Sequence, residues 1–206
     1  MTINTIQNTT NFSGTILIPF FETYEKSIVP ITYNAISINT KIFSGKKNTH
    51  YITESGDNMH VFIGLGKEID YRSLKTTFRR ISSKQKEYIT SNIALVIPEQ
   101  FTQDQIEAMI SGLFLGTYDL GHFKSDKKRH PLLDSDFALS LVATNDHLAT
   151  AEKAIKIAKA QLATYDLVDL PPNIVNPKYL ANWAIKKGQE YGFEVEVLGY
   201  EAAEKA

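Results

Sequence analysis

Over the first 143 residues the hydrophobic pattern switches period repeatedly, and this constrains the fold more than any other feature of the sequence. Short β-branched runs at 15–21, 60–63, 92–97 and 137–143 read as strands, with a weaker one at 35–38. Tyr51, Ile52 and Thr53 precede the cluster Ser55–Gly56–Asp57–Asn58, whose composition predicts a turn and hence a hairpin with 60–63. Between the strands the spacing becomes helical. Asp70 can cap a helix that places Leu74, Phe78 and Ile81 on one face. Thr102 and Gln105 have capping-box spacing ahead of Ile106, Ile110, Leu113 and Phe114. Runs that are apolar on both faces need cover on both faces. Strands alternating with helices therefore predict an α/β fold, with a mixed or largely parallel sheet and helices on its faces.

A different pattern follows. Leu148, Ala151, Ile155, Ala158, Leu162 and Tyr165 recur at helical spacing on a Lys- and Ala-rich background, with Asn145 or Asp146 as the cap. So narrow a stripe suits either an ordinary surface helix of the domain or a connecting helix over 145–165, and the new pattern that begins straight after it favours the connector. Pro171–Pro172 stops any helix. Asn176 then serves as N-cap, with Pro177 at the first helical position. The helix carries Leu180, Trp183, Ala184 and Tyr191, of which Trp183 and Tyr191 are core candidates rather than a ligand platform, and Gly192 ends it. Phe193, Val195 and Val197 alternate with Glu194 and Glu196, the pattern of a half-buried strand. A further helix begins near Glu201. The expected division is an N-terminal α/β domain over 1–144, the connecting helix over 145–165, and the opening of a second domain over 166–206.

Composition narrows the chemistry. The 206 residues carry a formal charge of −1 and no cysteine. Thiolate nucleophiles, disulfides and Cys-ligated metals are thereby excluded, and there is no global attraction to polyanions. The first fourteen residues are polar, without the basic and apolar regions of a signal peptide, and no apolar run is long enough to span a bilayer. A cytoplasmic location is expected. The five histidines, His50, His60, His122, His130 and His147, show no metal-helix spacing. No G-x-S-x-G elbow is present. Two candidate sites stand out. Gly64–Leu65–Gly66–Lys67 lies between a strand and a helix, where free N–H groups can cradle phosphate; the alternative is a tight turn that needs glycine. Lys124, Lys127, Lys128 and Arg129, with His122 and His130 beside them, form a basic run that could touch nucleic-acid phosphates or simply be a solvated loop.

Four stretches, in order, resemble the leucyl aminopeptidase (cytosol aminopeptidase) family. They are Phe62–Ile63–Gly64–Leu65–Gly66–Lys67; Leu113–Phe114–Leu115–Gly116–Thr117–Tyr118 with Phe123–Lys124–Ser125; Leu167–Val168–Asp169–Leu170–Pro171–Pro172–Asn173 with Asn176–Pro177–Lys178–Tyr179–Leu180; and Tyr191–Gly192–Phe193–Glu194–Val195–Glu196–Val197–Leu198. The sequence departs from the family pattern at Tyr165, where Arg is usual, and at Asp169, where Asn is usual. The resemblance implies a three-layer, macro-domain-like N-terminal domain, a connecting helix and the start of a metallopeptidase domain. It also implies a parent enzyme, a homohexamer in the family, that removes N-terminal residues from peptides with two divalent ions, Mn or Zn. The family's metal-ligand motifs, such as Asn-Thr-Asp-Ala-Glu-Gly-Arg, do not occur here. No catalytic or metal residue is therefore assigned, and no bound metal or activity is expected of this chain alone. The macro-like fold leaves a second reading open: a binding module for a phosphorylated ligand such as ADP-ribose, through the Gly64–Lys67 turn, or a DNA-contacting domain.

Overall fold

The structure, a computed structural model, describes residues 1–23, 30–119 and 129–205. The chain divides into two compact units, Met1–Leu162 and Ala163–Ala206.

In the first unit the chain runs through β1 (Thr2–Ile6), β2 (Gly14–Phe21), β3 (Ile31–Tyr33), β4 (Ile36–Ile38), β5 (His50–Ser55), β6 (Asn58–Gly66), α1 (Tyr71–Lys84), β7 (Asn92–Val96), α2 (Gln103–Leu115), β8 (Ala138–Val142) and into α3 (Leu148–Asp169). Six strands form one sheet in the order β1-β8-β7-β2-β6-β5, and β3 pairs with β4 in a separate hairpin. β5 runs antiparallel to β6, while the other pairs in the large sheet are parallel. This is the mixed, mostly parallel sheet flanked by helices that the alternating pattern implied.

The register explains why strands apolar on both faces were needed. One rung aligns Thr5, Leu141, Leu95, Leu17 and Val61, and the four apolar members are fully buried. The connections β6–α1–β7 and β7–α2–β8 step the same way across the sheet, so right-handed crossovers put both helices on one face. The path from β2 to β6 steps the other way and carries β3–β4 to the opposite face. There Ile31, Ile38 and Phe43 pack on Ile16, Ile18, Phe62 and Ala94.

The helix caps follow the sequence signals. The Asp70 carboxylate accepts from Ser73 N at 2.8 Å, and the Thr102 hydroxyl accepts from Gln105 N at 3.3 Å; both sites close capping boxes. Leu148 N donates to Asp146 Oδ1 at 2.9 Å, at the start of α3. β1 was not anticipated: its residues are polar enough to read as a tail, yet pairing with β8 makes them an edge strand.

In the second unit, residues 171–176 form a turn in which Ile174 N and Val175 N both donate to Pro171 O. Asn176 then caps α4 (Pro177–Tyr191), and Gly192, at φ 76°, ends it. α5 (Tyr200–Lys205) closes the described chain. The strand expected from the alternation at 193–198 is absent. Phe193 N donates to Gly188 O, and the chain folds back so closely that a Cβ on Gly188 would lie 2.6 Å from Phe193 O and 2.8 Å from Val195 Cγ2. A strand needs a neighbour for its ladder, and this segment spends its contacts on the last turns of α4 instead. Trp183 is only half-buried, short of the core position expected of it, and Tyr191 is 63% exposed, with Lys187 Nζ 5.3 Å from its ring centroid, so it is not a core residue of this unit.

Candidate functional site

The Gly64–Lys67 turn sits at the carboxyl ends of the parallel strands, the end of an open α/β sheet where ligands usually bind. It is not the free cradle that its spacing suggested. Gly64 N donates to Thr49 O at 2.8 Å, and Gly66 N donates to Gly45 O at 2.9 Å, so both glycine N–H groups are already used. α1 begins later, and its first turn is occupied by the Asp70 carboxylate. The glycines have steric reasons instead. Gly66 adopts φ 81°, and a Cβ on Gly64 would lie 2.1 Å from Lys46 O.

The segment that consumes those N–H groups was missed from sequence. Residues 39–49 fold across the carboxyl ends of β2 and β6, also tied down by Thr23 N donating to Ser44 O at 2.9 Å. Their outer side borders a cleft of about 500 Å³ that includes Thr40, Lys41, Ser44 and Lys46. Its Lys, Ser and Thr residues, without apolar periodicity, give no local signal of this role.

Of the basic run, Lys124, Lys127 and Lys128 lie outside the described residues, as does His122. Arg129 turns inward on its own loop, donating to Leu133 O and pairing with Asp134 at 3.8 Å. His130 is buried. Its Nε2 donates to Ser82 O at 2.9 Å, and its Nδ1 accepts from Leu132 N at 3.2 Å. That pairing fixes one neutral tautomer, and burial pushes the pKa of the ring below the ordinary histidine value. His60 is likewise buried on β6, beside Tyr33, and burial lowers its pKa. Among the described residues no three His, Asp or Glu side chains converge as a metal site.

Among the described residues of the first unit, the most deeply placed charged group is Glu107 on α2, only 8% exposed. Tyr71 Oη donates to its Oε1 at 3.0 Å, and Lys153 of α3 pairs with its Oε2 at 2.8 Å. Nearby, Lys75 Nζ donates to Gln161 Oε1 at 3.0 Å. These bonds, with the buried Ala151, Ala154, Ile155 and Ala158, fasten α3 as far as Gln161 to α1 and α2. The Lys153 hydrogen bond, aided by Tyr71 and opposed by burial, holds the Glu107 carboxyl below the ordinary glutamate range.

A depressed carboxyl pKa contributes stability above the unfolded value of about 4.3, and that contribution is lost as pH falls through the lower folded value. Glu107→Gln keeps the shape but not the charge. It is expected to cost about 1 kcal/mol at neutral pH, because the exposed Lys153 is partly screened. The difference in thermal midpoint between wild type and Glu107→Gln should shrink as pH falls below about 4. Calorimetry across that range checks this, and a constant difference would mean the carboxylate is not selectively stabilised.

Comparison with known proteins agrees with this geometry. Residues 33–127 match the family described as "Cytosol aminopeptidase family, N-terminal domain". A probable cytosol aminopeptidase of Treponema denticola is 30% identical over 77% of this chain and 35% of its own length. One from Clostridium perfringens is 28% identical over 89% of this chain and 40% of its own. The chain thus spans little more than a third of the length of these curated relatives. A tomato leucine aminopeptidase mutant aligns with all of this chain and 46% of its own, at a TM-score of 0.78 and 18% identity, which speaks to fold. No described helix is long and apolar enough to cross a membrane. The chain carries the N-terminal domain of the cytosol aminopeptidase family.

Proposed function

We propose that this chain supplies the non-catalytic N-terminal part of a metal-dependent leucyl aminopeptidase, a cytoplasmic enzyme that releases N-terminal residues such as leucine from peptides. The match of residues 33–127 to the family's N-terminal domain carries this reading. Within it, 1–144 form the macro-like domain, 145–165 the connecting helix, and 166–206 the opening of the catalytic domain. The burial pattern of α3 supports the connector: its buried residues all lie between Ala151 and Ala158, and none lies in its second half. The domain's work is to support assembly, as a homohexamer, or to control access to the peptide site.

In the whole enzyme two divalent ions, Mn or Zn, would supply the Lewis acid for peptide hydrolysis. The described residues do not fit such a pair, since they bring no three suitable ligands together. No chemical step is therefore assigned to them.

Hydrolysis of a leucine-amide reporter with added Mn²⁺ or Zn²⁺ tests the reading, with metal content measured in parallel. No turnover and no stoichiometric metal are expected. Metal-dependent turnover in proportion to the chain would overturn the non-catalytic assignment. As a positive arm, residues 1–144 grafted in place of the matching region of the Treponema denticola relative are expected to leave that protein folded and its peptidase activity measurable.

A further inference from the structure

β5 ends the large sheet on one side, and its ladder is made with β6. Gly64 N donates to Thr49 O, which makes Thr49 and Gly64 a bonded pair, and bonded and non-bonded pairs alternate along an antiparallel ladder. Tyr51, Thr53 and Ser55 therefore turn their N–H and C=O groups to β6, while those of His50, Ile52 and Glu54 point out of the sheet. Among the described residues, no backbone group bonds to these outward groups; the Thr53 hydroxyl alone reaches Glu54 O, at 3.5 Å. An open edge of this kind is a template for another strand, and proteins usually guard it with Lys, Pro or a bulge. β5 has no Lys and no Pro, and its register with β6 runs unbroken from His50 to Ser55. His50 and Glu54 are exposed, with Tyr51, Ile52 and Thr53 half-buried between them.

We propose that β5 pairs with β5 of a second copy of this chain, antiparallel and centred on Ile52, so that the two sheets become one across a twofold axis. In that register His50 stands opposite the partner's Glu54 and Glu54 opposite the partner's His50, so the symmetry makes the same acid–base pair twice. On the other face Tyr51 meets the partner's Thr53, again twice, an aromatic and β-branched pair. Every outward residue meets an outward residue, which closes about six N–H···O bonds. No other register does this as well. Sliding one strand by a single residue sets outward groups against groups already used by β6. Sliding it by two sets Ile52 against Glu54 or His50, and by four sets like against like. β1, at the opposite edge, reads Thr-Ile-Asn-Thr-Ile and offers a second copy no acid–base pair. The contact stands on β5 alone and does not depend on the aminopeptidase reading.

Sedimentation of the full chain over a concentration series tests the contact, and a reversible monomer–dimer equilibrium is expected. Ile52→Pro removes an outward N–H and leaves the ladder with β6, a place where an edge strand tolerates proline, so it should abolish the dimer in a chain that circular dichroism shows to be folded. Glu54→His should weaken the dimer about tenfold, and His50→Glu/Glu54→His, which exchanges the partners, should restore it. The chain has no cysteine, so the register can be read by cross-linking. Ile52→Cys should form a disulfide dimer under mild oxidation, because opposed residues of a bonded pair lie about 5.5 Å apart, within disulfide reach. His50→Cys alone should not, since its counterpart lies about 13 Å away along the strand, but mixed with Glu54→Cys it should. A chain that stays monomeric at its highest soluble concentration, or a dimer that Ile52→Pro leaves intact, would overturn the proposal. So would cross-linking of His50→Cys alone as fast as of Ile52→Cys.

Discussion

Phe62→Ala is expected to destabilise the first unit by about 3–5 kcal/mol, the range for emptying a buried aromatic site. Phe62 is fully buried on β6 at the centre of the face that carries β3–β4. Its ring meets three others, with centroids 5.8 Å from Phe20, 6.3 Å from Phe43 and 6.2 Å from Tyr51. These partners come from β2, the 39–49 segment and β5, so one truncation loosens three parts of the chain at once. This is a large fraction of the roughly 5–15 kcal/mol net stability of a domain, so the variant should unfold at markedly lower urea concentration and temperature than wild type. Urea titration followed by the near-ultraviolet aromatic signal measures the loss. A shift below about 1 kcal/mol would mean that the hairpin face can repack around the gap and contributes little to the fold.

The mixed sheet and its helices were legible because the signals were local. Asp70 with Leu74, Phe78 and Ile81, and Thr102 with Gln105, announce their helices within four residues, and the structure places α1 and α2 as those signals imply. The turn at Gly56, at φ 60°, was likewise written in its own residues. Where the decisive partner is distant in sequence, local reading fails. β1 is a strand because β8, more than 130 residues later, offers it a ladder. Residues 193–198 alternate as a strand should, yet none of the described residues pairs with them in a ladder, and Gly188 lets them fold back instead. The site was less legible than the fold for the same reason. Nothing near Gly64 indicates that residues 45–49 will take its N–H, and Lys47 comes to share a cleft with Arg72 and Arg80 of α1 only after the chain has folded.

Gly64→Ala separates two explanations of the glycine turn. Had φ freedom alone selected the glycines, Gly64 would tolerate alanine, since only Gly66 has a positive φ, at 81°. The structure gives Gly64 a different constraint. A Cβ there would lie 2.1 Å from Lys46 O, 2.6 Å from Thr49 Oγ1 and 2.9 Å from Gly45 C, and two of these are backbone atoms that cannot rotate away. The 39–49 segment must lift, and lifting it breaks the bonds from Gly64 N to Thr49 O and from Gly66 N to Gly45 O. The expected cost is about 1–3 kcal/mol. The released segment carries Lys41, Lys46 and Lys47, so trypsin should cut the variant there well before it cuts wild type. Gly66→Ala has a different origin of strain, a left-handed backbone worth about 1–2 kcal/mol. If Gly64→Ala matches wild type in both urea midpoint and cleavage rate, the segment is not seated on the sheet end. The glycine N–H groups would then be free for an anion after all.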